Sequence, residues 1–449
     1  MLGPEEVRGL QGRVKGEVLL PGDAGYDESR RIFNAMIDRR PAVIVRMAAR
    51  EDVIAAVEFA RTRHLPISVK GAGHNVAGNS VCDQGVMIDC SRMKSVRVDR
   101  ANRVAVADPG VTLGDFDRST TAESFVTTMG MVSKTGIAGL TLGGGLGWLM
   151  GRFGLACDNL IAAEVVTADG RVVRTSEKEN EDLLWGLRGG GGNFGIVTRF
   201  EYRLHPLEPT TGGLLLYPVE RGADVLRHFR DITRSYPDQL SVVQGLLNAP
   251  DGSPVAALAV NYCGAVAAAE TALRPVRACG TPVADTVATT PYTQLQSMMD
   301  DAYPSGLYYY WKSSMMDTLS DAAIPILLHY FRTRPSPLTQ MFFEHIHGAA
   351  ARVPQQATAF AHRRELFNFS VLAFWKDAAE SDANLAWLQS FWNDLQPHLG
   401  SGAYVNYLSQ EGPERVRAAY GPNYERLVAL KRKYDPTNFF RYNQNIPPV

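Results

Sequence analysis

Three glycine-rich stretches constrain this chain more than any other feature. They are Gly71-Ala72-Gly73-His74-Asn75, Gly136–Gly147 and Gly189-Gly190-Gly191-Gly192-Asn193-Phe194-Gly195. Glycine reaches positive φ without steric cost and lets a backbone approach a ligand closely, and successive free N–H groups then form a nest for an anion. One such stretch alone reads as a tight turn. Three within about 120 residues, each beside a strand, point to a large phosphorylated cofactor. No GK[ST] follows any of them, which excludes a Walker loop. None gives GxGxxG in a clean strand–turn–helix setting, which disfavours a Rossmann nicotinamide site.

The surrounding pattern is α+β. Ala42–Val45 reads as a short buried strand, and Glu51–His64 carries Ile54, Val57, Phe59 and Ala60 at helical spacing. Ile67–Val69 is again a strand and empties into the first glycine stretch. Val86–Asp89, Val96–Asp99 and Arg103–Ala107 follow as short strands. Ala162–Thr167 and Arg171–Arg174 flank the hairpin signal Ala168-Asp169-Gly170, and Ile196–Tyr202 leaves the third glycine stretch as a strand. After Pro206 the texture changes to long strands alternating with helices. The strands are Leu214–Pro218, Val255–Tyr262, Gly306–Lys312, Met341–His347 and Leu366–Trp375; the helices are Ala223–Tyr236, Ala265–Ala278, Ser320–Thr333 and Asp382–His398. That alternation predicts an antiparallel sheet with helices on one face. A last helix spans Tyr424–Tyr434.

Charge and cysteine usage narrow the function classes. With 46 basic and 47 acidic side chains there is no electrostatic footprint for nucleic acid or an anionic membrane. No apolar run approaches the roughly 20 residues a spanning helix needs. Met1–Gly16 offers no apolar core of a secretory signal, so a cytoplasmic location is expected. Cys82, Cys90, Cys157, Cys263 and Cys279 are odd in number and widely spaced, which fits reduced thiols better than a disulfide framework or a metal site.

The motifs carry a resemblance. Val69-Lys70-Gly71-Ala72-Gly73-His74-Asn75, with Gly78, resembles the flavin-anchoring segment of the berberine bridge enzyme-like FAD oxidases, of the vanillyl-alcohol oxidase fold. Thr135–Gly145 is similar to that family's second FAD loop, Arg188–Val197 to its third, and Tyr404–Tyr407 with Tyr434–Pro448 to its C-terminal module. The resemblance implies a two-part FAD-binding domain of the PCMH type over residues 38–207. It further implies a substrate domain, an antiparallel sheet covered by helices, over 208–400, and a segment 401–449 that returns to the FAD domain. By the same resemblance His74 carries an 8α bond to the flavin. Gly71, Ala72, Gly73, Asn75, Gly78, Gly136, Gly139, Thr141, Gly143, Gly144, Gly147, Gly192, Asn193, Gly195, Ile196, Val197 and Asn443 would hold the rest of the cofactor. Lys70, where many relatives have arginine, would place a point charge near phosphate. A second, cysteinyl bond has no partner, because Val132 stands where the cysteine would be and Cys157 lies beyond the loop; the flavin would be monocovalent. Thr135 occupies the position that in this family gates oxygen, and a side chain no bulkier than valine favours an oxidase releasing hydrogen peroxide over a dehydrogenase.

Flavin chemistry needs a group to take a proton as hydride leaves the substrate. Tyr407 holds the family's catalytic tyrosine position and is the expected base. Tyr404 would share its face only if the segment were helical. Asn368 falls where some members carry a glutamate and can hydrogen-bond a substrate but not act as a base. In Glu344-His345-Ile346-His347 the two histidines share one strand face and Glu344 the other; the histidines are expected to line a cleft, and Glu344 is a candidate substrate-cleft acid. Tyr310, in the aromatic run Tyr308-Tyr309-Tyr310-Trp311, is expected to stack on a ring-bearing substrate. The sequence thus predicts oxidation of an alcohol or amine carbon in a small organic molecule: a sugar, a nitrogen heterocycle or a secondary-metabolite intermediate. Two alternatives remain: a flavin dehydrogenase with a non-oxygen acceptor, and a flavin-independent metal-binding protein built on His345 and His347.

Overall fold

A computed structural model describes residues 2–449, and its architecture follows the burial pattern of the strands. In the first layer, strands Val43–Arg46 and Ile67–Lys70 both run parallel to Val86–Asp89, which lies between them, and Glu17–Leu19 adds an antiparallel edge. The helix Arg50–Thr62 crosses over this sheet and buries Val53, Ala56, Val57 and Ala60 against it. Its Asp52 is fully buried and accepts from the amides of Lys15, Gly16, Ala48 and Ala49. Four donors to one carboxylate tie the N-terminal segment to the helix start. Leu10 of that segment packs in the core of this layer beside Val43 and Val57.

The second layer is a five-stranded antiparallel sheet in the order Val96–Asp99, Val104–Ala107, Ile196–Arg203, Leu160–Val166 and Val172–Ser176. The turn after Val166 closes with the Thr167 amide donating to the Arg171 carbonyl at 3.0 Å. The C-terminal segment completes this layer's core. Ala403, Val405, Leu408, Val416, Leu427, Val428 and Ile446 pack with Phe116, Phe194 and Phe200.

The third layer is an eight-stranded antiparallel sheet. Its long strands are, in spatial order, Thr210–Pro218, Pro254–Cys263, Leu240–Asn248, Gln340–Ile346, Leu366–Trp375 and Tyr308–Met316. Strand Leu240–Asn248 sits at its centre. Helices Gly222–Ile232, Val266–Arg277, Ala323–Thr333 and Ser381–Leu395 cover one face, packing on Leu258, Phe343, Phe369 and Trp375. The other face presents Tyr309, Trp311, Phe342 and Leu372 toward the glycine loops. Both faces are covered, so the strands read as continuous apolar runs.

Candidate active site

A cavity lies where the three glycine stretches meet the uncovered face of the eight-stranded sheet. The first stretch leaves strand Ile67–Lys70 and turns at Gly73, whose φ of +74° suits glycine. Among the described residues the amides of Ala72, Gly73 and Asn75 find no acceptor, as an anion nest requires. The second stretch opens the short helix Ile137–Leu142, and the third runs into strand Ile196–Arg203. A Cβ placed on Gly139 or Gly192 would meet no atom within 4 Å; both face open cavity. Glu344 is the one carboxylate in the lining, and among the described residues no lysine or arginine contributes to it.

Of the residues singled out in the sequence, Gly71 to Asn75, Thr135, Gly136, Gly139, Gly143, Gly192, Gly195, Ile196, Val197, Asn443, Glu344, Tyr404 and Tyr407 line the cavity. Val132 lines it as well, whereas Cys157 is buried outside it beside Arg363 and Asp158. Several others stand behind the wall. Lys70 is turned away from the cavity, its ammonium held by the carbonyls of Ser29 and Arg31 and by Asp89, so it offers no charge to phosphate. Thr141 is bonded to the Tyr202 hydroxyl at 2.9 Å. Asn193 faces the tail: its amide donates to the carbonyls of Gly190 and Gln444, and its oxygen accepts from the Ile446 amide. Gly78, Gly144 and Gly147 make room for Ile37, Phe360 and the Met129 carbonyl respectively, which is a packing role. Tyr310 points to the helix-covered face, and Trp311 takes the place expected of it. Asn368 is fully buried beneath Glu344 and donates to its Oε2 at 2.7 Å, which makes it a support for the acid.

His74 is held by aromatic stacking. Its ring lies 4.1 Å from that of Phe33 at 19°, and Phe33 in turn stacks on Tyr309 at 4.2 Å and 25°. The Phe33 amide donates to the Gly73 carbonyl at 2.9 Å. Next to it, buried Asn34 donates to the carbonyls of Val76 and Tyr309 and accepts from the amides of Met36 and Tyr309. Burial depresses the His74 imidazole to about 4, so it is neutral near pH 7, and its Nε2 is buried with no partner among the described residues.

Opposite it, Val405–Tyr407 forms a single 3-10 turn with Tyr404 as its N-cap. Positions three apart eclipse in a 3-10 turn, so Tyr404 and Tyr407 share a face, with rings 4.8 Å apart. The Tyr404 hydroxyl accepts from the amides of Gly145 and Leu146, which pins the turn to the second glycine stretch. Tyr407 donates to Glu344 Oε1 at 3.3 Å. Glu344 is 2% exposed, and desolvation pushes its carboxyl up to about 7 against the two hydrogen bonds from Asn368 and Tyr407. Burial, reinforced by the neighbouring Glu344, raises the Tyr407 phenol far above its ordinary 10. Tyr407 therefore stays protonated, and the group poised to take a proton near neutrality is Glu344. His345 and His347 are committed elsewhere: His345 Nδ1 meets the Tyr236 hydroxyl, and the ring nitrogens of His347 face the carbonyls of His345 and Leu240. Among the described residues no group of three metal-ligating side chains gathers.

The sequence reading missed Trp148, Tyr303, Trp311 and Phe342, which wall the sheet side of the cavity, and Phe33 with Asn34, which support His74. Strand parity could have found Trp311 and Phe342, whereas Trp148 and Tyr303 lie in loops that carry no period. Asn406, whose amide donates to the Leu140 carbonyl, lies between the two tyrosines already singled out.

Known proteins agree with this geometry. A family model described as "FAD binding domain" matches residues 41–176, and one described as "Berberine and berberine like" matches 403–447. (R)-6-Hydroxynicotine oxidase of Paenarthrobacter nicotinovorans is 31% identical over 450 residues, 97% of this chain and 97% of that protein. Among solved structures, 6-hydroxy-D-nicotine oxidase from Arthrobacter nicotinovorans gives a TM-score of 0.90 at 28% identity, with 97% of this chain and 98% of that one covered. Glucooligosaccharide oxidase from Acremonium strictum, described with a 6-S-cysteinyl, 8α-N1-histidyl FAD, gives 0.88 at 26% identity, with 99% of each chain covered. The fold and site define a flavin-binding protein of the PCMH type. The chain belongs to the berberine bridge enzyme-like family and is an FAD-linked oxidoreductase. Its residues suit FAD: a nest of free amides, two glycines facing open space, and a buried, unpartnered imidazole nitrogen at the cavity wall.

Proposed function

We propose that this chain holds FAD through one covalent bond at His74, oxidises the alcohol or amine carbon of a small organic substrate, and returns the electrons to molecular oxygen. The observation that carries this reading is the placement of neutral His74 and buried Glu344 in the lining of one cavity. Bound flavin supplies a two-electron acceptor for hydride. The amides of the first stretch, with Gly139, Gly192 and Asn443, would hold its phosphate and ribityl parts. Glu344 takes the proton from the substrate O–H or N–H, Asn368 fixes its orientation, and Tyr407 donates to the carboxylate and aligns it. This assigns to Glu344 the basic role that the family resemblance implied for Tyr407. Thr135 lines the same cavity, and its small side chain favours oxygen as the acceptor.

The decisive experiment is chemical. Acid-precipitated protein should stay yellow, and mass spectrometry of its peptides should find an FAD adduct on the fragment containing His74. His74→Ala should remove the adduct. Survival of the adduct in that variant would overturn the assignment. Hydrogen peroxide release during anaerobic–aerobic cycling with a reducing substrate separates an oxidase from a dehydrogenase.

A further inference from the structure

We infer that the substrate enters this cavity as an organic cation, an aryl- or alkyl-bearing amine in its ammonium form, with Glu344 as its counter-ion and an aromatic wall around it. The inference rests on the flavin reading above and narrows it. Glu344 is buried and, among the described residues, forms no ion pair and shares the cavity with no lysine or arginine. A buried carboxylate without a partner is costly, and a charge brought by the ligand relieves that cost. The groups around it suit such a ligand. Trp311 meets Tyr407 edge-on at 5.6 Å and Tyr303 at 6.5 Å. The polar tips of both tyrosines are already engaged, Tyr303 donating to Gln340 Oε1 and Tyr407 to Glu344, so the cavity sees their rings. Aromatic faces attract ammonium groups through their quadrupole. The sheet otherwise contributes Val243, Ala259, Phe342 and Leu372, with Ser370 and the indole N–H of Trp311 as its other polar groups in the lining. A sugar buried there would leave most of its hydroxyls unpaired, each a desolvation loss.

The chemistry balances. The ammonium N–H gives its proton to the Glu344 carboxylate, leaving a neutral amine with a free electron pair. That pair forms C=N as the adjacent C–H leaves as hydride to oxidised FAD. The amine carbon is oxidised and the flavin reduced, and water then hydrolyses the released iminium to a carbonyl compound and an amine.

The test uses flavin-loaded enzyme and three probes read by perturbation of the flavin absorbance: phenyltrimethylammonium, its neutral isostere tert-butylbenzene, and cellobiose. The quaternary cation has no N–H to lose, so binding is read without turnover. It should bind at least tenfold tighter than tert-butylbenzene, and cellobiose should bind weakest. Glu344→Gln should erase the preference for the cation and leave tert-butylbenzene unchanged, and Trp311→Leu should weaken both aryl probes. A cation preference that survives Glu344→Gln, or cellobiose binding more tightly than the cation, would overturn the inference. If Glu344→Gln does not fold, the wild-type preference measured at pH 5.5 and pH 8 decides. Tyr303, Tyr404 and Tyr407 stay protonated and His74 stays neutral over that range, so Glu344 alone ionises and the preference must grow. A preference that does not grow refutes the role of Glu344. Failure with intact flavin reduction by a neutral alcohol or sugar leaves the flavin reading standing; absence of bound flavin removes both.

Discussion

Glu344 works against its own fold, and that makes its role measurable. Its carboxyl is held near 7 by burial, above the ordinary 4.5. The native state therefore binds the extra proton between those two values, and stability falls as pH rises through that window. Glu344→Gln removes the buried charge and should leave stability matched to wild type near pH 4. Above pH 7 the variant should gain up to roughly 3 kcal/mol, read from denaturant midpoints. The same substitution should lower the rate of flavin reduction by about 10²- to 10⁴-fold, the range general-base loss produces. In wild type that rate should climb with pH and level off above a midpoint near 7; a profile flat across pH 6–8 would remove Glu344 as the proton acceptor. Gly139 gives the complementary case. It sits inside helix Ile137–Leu142 with open cavity in front of it. Gly139→Ala should raise the stability of the flavin-free protein by about 1 kcal/mol through helix propensity. It should also reduce FAD incorporation, because the new methyl group fills space the cofactor needs. Unchanged incorporation would show that the cofactor stays clear of this helix.

Among the elements, the strap Phe33–Asn34 joins parts that sequence distance separates. It stacks on His74, hydrogen-bonds Gly73 and Val76, and reaches Tyr309 in the substrate sheet. Phe33→Ala should leave the protein folded with His74 free to turn, so covalent flavin, counted by in-gel fluorescence after denaturation, should accumulate several-fold more slowly. An unchanged rate of attachment would show that the stack is packing alone. Nothing local marked this strap, because it has neither glycine nor charge periodicity and lies before the first motif. The glycine stretches were legible, since only a backbone needing close approach spends so many glycines together. Glu344 and His345 were correctly assigned to opposite faces by simple alternation. Tyr310 was not, because four aromatic residues in a row carry no polar–apolar alternation. Its face is set by pairing, Tyr310 opposite Ala373 and Trp311 opposite Leu372. Leu240–Asn248 escaped notice for a related reason: almost all of it is buried on both faces, leaving no period of two. The 3-10 turn that brings Tyr404 over Tyr407 depends on the Gly145 and Leu146 amides, far away in the chain.

Across the whole molecule, the C-terminal tail closes the cavity, and one buried ion pair decides whether it can. Lys431 and Asp435 are both wholly buried. The ammonium donates to Asp435 Oδ2 at 2.6 Å and to the carbonyls of Asn193 and Phe440 at 2.8 and 2.9 Å. Asp435 in turn accepts from the amides of Phe439 and Phe440 at 2.8 Å each. The pair thus links the third glycine stretch to the length of tail that carries Phe440, Tyr442, Asn443 and Gln444 into the cavity lining. Burial lowers the Lys431 pKa, yet three acceptors compensate its ammonium, and removing it strands a carboxylate in the core. Lys431→Met should therefore cost about 3–5 kcal/mol by denaturant unfolding. The loss should extend to function, since a tail released at Phe440 withdraws Asn443 from the cavity and takes Gln444 and Ile446 away from Asn193. FAD occupancy of Lys431→Met, measured at a temperature where the variant is fully folded, should fall below that of wild type. Full occupancy in a destabilised variant would separate the two effects and confine the pair to holding the fold.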